Sequence, residues 1–88
     1  MNQFIPGDII VAEKDQIGSC GKTLIRKGSI VKVKSAYNGF TPSYRVYKSI
    51  SRERDYNYSD VKQVDFRPAT DEEKIMYQNG IKNVSTDN

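Results

Sequence analysis

The stretch running from residue 29 to residue 50 constrains the fold more than any other. Ile30, Lys32, Lys34 and Ala36 alternate with Val31, Val33, Ser35 and Tyr37. A period of two is the repeat of a β-strand, whose successive side chains point to opposite faces, so the lysines fall on one face and the valines on the other. Asn38-Gly39, extended by Phe40, Thr41 and Pro42, is a hairpin signal. Beyond it Tyr44, Val46, Lys48 and Ile50 alternate with Arg45, Tyr47 and Ser49. An antiparallel hairpin therefore sits at the centre of the chain, and strict alternation turns Tyr37 and Tyr44 toward its apolar side.

The flanks add shorter pieces. Pro6-Gly7-Asp8 is a turn, and the β-branched run behind it predicts a strand over 8–14. Residues 15–22 are rich in turn formers and read as a loop, before Thr23, Leu24 and Ile25 lead to a turn at Lys27-Gly28. Residues 51–55 form a polar connection. Tyr56 and Tyr58 recur at strand spacing, and Val61, Val64 and Phe66 complete a set of five short strands. One helix follows over 71–79. Thr70 caps it, Glu73 reaches back in a capping box, Asp71 and Glu72 favour the positive end of its dipole, and Gly80 stops it. Ile75, Met76 and Ile81 supply its apolar stripe, and residues 82–88 lack periodicity and read as a flexible tail behind a single domain over 1–81.

A chain of 88 residues and 10.0 kDa has room for one thin core. Several short strands and one helix suit a mainly β, five-stranded antiparallel SH3-like barrel with a short C-terminal helix, because closure removes exposed sheet edges. Pro6-Gly7-Asp8, the run Lys27-Gly28-Ser29-Ile30-Val31-Lys32-Val33 and the ending Phe66-Arg67-Pro68-Ala69-Thr70-Asp71-Glu72-Glu73 resemble small SH3-like barrel proteins encoded by bacteriophages, over two thirds of the chain. The resemblance implies that fold and a use during infection, in which a host nucleic-acid enzyme or defence factor is obstructed.

Several chemistries lack their residues. There is no histidine and Cys20 is the only cysteine, so thiolate or imidazole zinc sites, an intrachain disulfide and a histidine-activated thiol are excluded; no metal and no cofactor is expected. Gly18-Ser19-Cys20-Gly21-Lys22-Thr23 looks like part of a phosphate-binding loop, but Gln16 stands where the first glycine belongs and Thr23 leads into a strand where a helix is required. Asp8, Glu13, Asp15, Asp55, Asp60 and Asp65 lie in turn-like or solvent-facing contexts, and nothing pairs two of them as acid and base. The expectation is a binding module without enzymatic activity. No run of about 18 apolar residues and no signal peptide occurs, and a lone thiol suits a reducing compartment, so a cytoplasmic protein without membrane contact is expected.

Charge indicates where binding would occur. Residues 1–54 carry ten Lys and Arg against four acids, a net of +6, whereas residues 55–88 carry four against seven, a net of −3. Within the basic part, cations interleave with tyrosines. The candidate binding residues are Lys32, Lys34, Arg45, Tyr47, Lys48, Arg52, Arg54, Tyr56 and Tyr58. Cations neutralise phosphates and rings stack on bases, which suits nucleic acid; Tyr and Arg are also enriched at protein hot spots, which suits an acidic host protein. The same face therefore serves a nucleic acid or nucleic-acid-handling factor or, alternatively, a protein–protein inhibitor of a host defence or transcription protein. A small-ligand sequestering protein would need oligomerisation to enclose a pocket.

Overall fold

The computed structural model describes residues 4–18, 20–63 and 65–84. The chain runs β1 (Ile9–Ala12), β2 (Gln16–Ile17), β3 (Thr23–Ile25), β4 (Ile30–Tyr37), β5 (Ser43–Tyr47), α1 (Ile50–Arg54), β6 (Ser59–Lys62), β7 (Phe66–Pro68) and α2 (Asp71–Gln78). Five strands form one antiparallel sheet in the order β6-β5-β4-β1-β7. The fold is thus mainly β with a short C-terminal helix. The sheet is not closed into a barrel: β6 and β7 are its two edges.

Three segments differ from what the sequence suggests. Residues 15–22 do not form a plain loop, because β2 pairs with β3 in a separate two-stranded sheet, Gln16 opposite Ile25 and Ile17 opposite Thr23. The Gly18 amide donates to the Lys22 carbonyl at 2.8 Å and closes the turn. The polar connection over 51–55 is largely helical; Ser49, not recognised as a cap, accepts from the Arg52 amide and starts α1. Strand β1 covers only Ile9–Ala12, and Tyr56 and Tyr58 precede β6 instead of lying within it. Val64, expected to help finish the sheet, lies outside the described residues.

Both faces of the sheet are used. Ile10, Ala12, Val31, Val33, Tyr44, Val46 and Val61 form the inner core with Ile25 of the hairpin, and Phe4, Leu24, Ala36 and Phe66 pack against it. On the outer face Val11, Ile30, Ala69 and Tyr77 form a second, smaller cluster beneath α2. Successive residues, Ile10 and Val11 on β1 and Ile30 and Val31 on β4, are therefore both buried: β1 and β4 are covered on two sides. Alternation breaks within β4. A bulge between Val33 and Ser35 inserts Lys34, so that Ser35 comes to face Arg45, Ala36 faces Tyr44 and Tyr37 faces Ser43. The parity flip sends Ala36 to the core and leaves Tyr37 on the outside, 59% exposed, while Tyr44 is buried as alternation predicts.

Helix α2 has the expected boundaries. Thr70 and Glu73 form the capping box, and at the other end the Gly80 amide reaches the Tyr77 carbonyl and the Ile81 amide the Met76 carbonyl, with Gly80 at φ +86°. These two bonds are the 5→2 and 6→1 pair that favours glycine after a helix. The anchoring residue is Tyr77; Ile75 and Ile81 are exposed. Lys82–Val84 do not hang free. The Ile30 amide donates to the Lys82 carbonyl at 2.9 Å and the Val84 amide to the Gly28 carbonyl at 2.8 Å, along the edge of β4 that β5 vacates beyond Lys32. The rest of the expected tail, 85–88, lies outside the described residues.

Glu73 also holds α2 to β7 through a two-bond pair with Arg67, at 2.8 and 2.7 Å. That guanidinium, aided by the Thr70 amide, lowers the Glu73 carboxyl to about 2. A carboxyl depressed on folding stabilises above its unfolded value of about 4.3 and loses that contribution as pH falls toward 2. Because Arg67 is partly exposed and screened, Glu73→Gln is expected to cost about 1–2 kcal/mol at pH 7. Urea midpoints of variant and parent should converge as pH falls from about 4.5 to 2; a constant gap would mean that the carboxylate charge is not responsible.

Candidate functional site

The outer face divides in two. Its β1–β7 end lies under α2, and its β4–β5–β6 end is left open, carrying Lys32 and Lys34 from β4, Arg45 and Tyr47 from β5, and Tyr58 and Asp60 beside β6. The bulge that misplaces Tyr37 also aims Lys34. Its ammonium sits 4.9 Å from the ring centroids of both Tyr56 and Tyr58, and the Arg45 guanidinium lies 4.9 Å from Tyr58. Tyr56 and Tyr58 meet edge to face at 6.3 Å, and Tyr56 and Tyr47 are 6.5 Å apart. Three rings and two cations from β4, β5 and the α1–β6 connection thus form one patch, with Tyr47 as its buried floor.

Tyr56 owes its position to an unusual helix ending. After α1 the Tyr56 amide donates to the Glu53 carbonyl at 3.1 Å and the Asn57 amide to the Arg52 carbonyl at 2.8 Å, the same bond pair that ends α2. At α2 the left-handed residue is Gly80; at α1 it is Tyr56, with φ +57°. A side chain in that conformation costs about 1–2 kcal/mol relative to the right-handed region, and a bulky ring there is an outlier. The ring held at this cost is 67% exposed.

The remaining candidates play different parts. Lys32 does not join the ring cluster; it pairs with Glu53 at 2.8 Å, and Glu53 in turn accepts from the Tyr77 hydroxyl at 3.2 Å, tying β4, α1 and α2 together. Burial, with Glu53 beside it, holds the Tyr77 phenol above its ordinary range, so it stays a donor. Burial, and then the charges of Arg52 and Lys22, hold the Lys48 ammonium below its ordinary range. Lys22, singled out in the sequence only for an unsuitable phosphate loop, sits at the turn of the β2–β3 hairpin, whose Leu24 and Ile25 pack on the inner core. Arg52 and Arg54 are exposed on α1. The sequence presents Asp60 as a solvated acid. It pairs with Arg45 at 3.1 Å in the middle of this cationic face, and its place directly across from Arg45 depends on a strand register that the sequence alone does not fix.

A cleft of about 290 Å³ opens beside Ile17, Leu24, Val61 and Lys62 and shares Ser43 and Asp60 with the β4–β5–β6 side of the sheet. Among the described residues no helix is long and apolar enough to cross a membrane, and no three His, Cys, Asp or Glu side chains cluster as metal ligands would. Comparison with protein-family models, with curated proteins and with solved structures finds no match to this chain.

Proposed function

We propose that the protein is a non-enzymatic binding module that engages single-stranded nucleic acid through the open part of its outer face, on an SH3-like scaffold. The scaffold reading rests on the strand order, in which the first strand lies between β4 and the last, β7, as a meander returning toward itself requires. The observation that carries the function is Tyr56, a ring held at energetic cost in the position of a capping glycine, beside Tyr58 and two cations. Exposed rings give bases a surface to stack on, and Lys34 and Arg45 beside them give the backbone phosphates their counter-charges. A protein contact would use the same rings, but the Lys34 ammonium held over two of them favours an anionic strand.

The test is fluorescence anisotropy with a labelled oligothymidylate of about ten nucleotides, within the usual site size of such folds. Affinity is expected to fall steeply between about 50 and 200 mM salt, and Lys34→Ala should make the log–log slope shallower by about 0.7, one phosphate contact on a single strand. Binding that ignores salt, or an unaltered slope in Lys34→Ala, would transfer the face to a protein partner.

A further inference from the structure

We propose that the cavity between β4, β5 and β6 is a nucleobase subsite with a preference for guanine. It deepens the reading of the outer face as a single-strand binding surface and rests on it. The cavity measures about 470 Å³ and is lined by Ser35, Ala36, Tyr37, Ser43, Arg45 and Asp60. It is continuous with the ring cluster, because Arg45 belongs to both: its guanidinium lies over Tyr58 and its Nε donates to Asp60 Oδ1. Its walls are fixed. Gln63 Nε2 reaches the Tyr37 and Ser43 carbonyls at 3.1 and 3.0 Å, and the Tyr37 ring lies so close over Gly39 that a Cβ there would collide with it. A base turned out of a single strand finds a phenol ring beside a paired guanidinium and carboxylate.

Asp60 is the informative residue. A carboxylate amid phosphate-binding cations weakens phosphate binding, and as an exposed ion pair it contributes little to the fold. It becomes useful if it reads a base edge. Nε of Arg45 occupies one side of Oδ1, while Oδ2 makes no hydrogen bond among the described residues. The pair therefore presents guanidinium donors next to carboxylate acceptors. Guanine alone places two donors side by side on its Watson–Crick edge, the N1–H and the N2 amino group, next to the O6 acceptor. Two donors on an ionised carboxylate, with Arg45 on O6, make charge-assisted bonds that no other base can match in number on Asp60.

The experiment uses nine-nucleotide oligothymidylates with thymine, guanine, inosine, adenine or cytosine at the central position, measured by anisotropy at one fixed salt concentration. Guanine is expected to bind about five- to tenfold tighter than thymine, adenine or cytosine, the lower range for a bidentate base contact. Inosine, which lacks the N2 amino group, should fall between. In D60N the guanine preference should vanish while affinity for plain oligothymidylate rises, since a repelling charge is removed; a merely structural role would lower every affinity together. Equal affinity for all the bases on the wild-type protein, or preference for cytosine, overturns the guanine subsite while leaving the salt-dependent face standing. If no oligonucleotide binds, the face itself is wrong and the subsite falls with it.

Discussion

Replacing Tyr77 with alanine is expected to cost about 3–5 kcal/mol, the range for removing a large ring from a core. Tyr77 is 1% exposed and is the only residue of α2 that is fully buried among the described residues; it meets Val11, Ile30 and Ala69, the whole of the smaller cluster. A chain of this size has a total stability of about 4–13 kcal/mol, so the variant should be largely unfolded or should melt far below the parent. Tyr77→Phe separates packing from hydrogen bonding. It keeps the ring and loses only the bond to Glu53, which remains paired with Lys32, so its cost should be about 1 kcal/mol. Urea titrations of both variants decide the matter. A loss below about 1 kcal/mol in Tyr77→Ala would mean that α2 is not docked on the outer face.

The central hairpin and the capped helix were legible in the sequence because both are encoded locally: alternation over 30–33 and 44–47, Asn38-Gly39 at the turn, Thr70 with Glu73 at one helix end and Gly80 at the other. What was not legible depends on single inserted or ambivalent residues. The bulge at Lys34 has no local signature, yet it moves Tyr37 out, Ala36 in and Lys34 onto the rings. Tyr77 stands two positions from Ile75 in a helix whose stripe reads as Ile75, Met76 and Ile81; only docking against Val11 and Ile30 selects the tyrosine. The short helix α1 was hidden because Ser-Ile-Ser-Arg-Glu-Arg has the composition of a polar loop, and its only cue, Ser49 as a cap, was read as a strand residue. Expected barrel closure likewise hinged on β6 and β7, four and three residues long, finding each other, and in the structure they remain separate edges.

The helix α1 is also where stability and contact pull apart, and Tyr56→Gly exploits this. Glycine takes the left-handed conformation freely, relieving about 1–2 kcal/mol, while the three lost contacts, with Lys34, Tyr47 and Tyr58, are worth about 0.5 kcal/mol or somewhat more each. Stability should therefore stay about level. Binding should move the other way: one stacked base is worth about 1–3 kcal/mol, so affinity for oligothymidylate is expected to fall about five- to a hundredfold. The salt slope should hardly change, because Lys34 and Arg45 remain. That combination, an unweakened fold with weaker binding and an intact electrostatic component, distinguishes a contact ring from a packing ring, since a packing ring would lose stability first. If Tyr56→Gly destabilises the protein by more than about 1 kcal/mol and binds as the parent does, the strained tyrosine serves the fold, and the outer face loses the residue on which its functional reading depends.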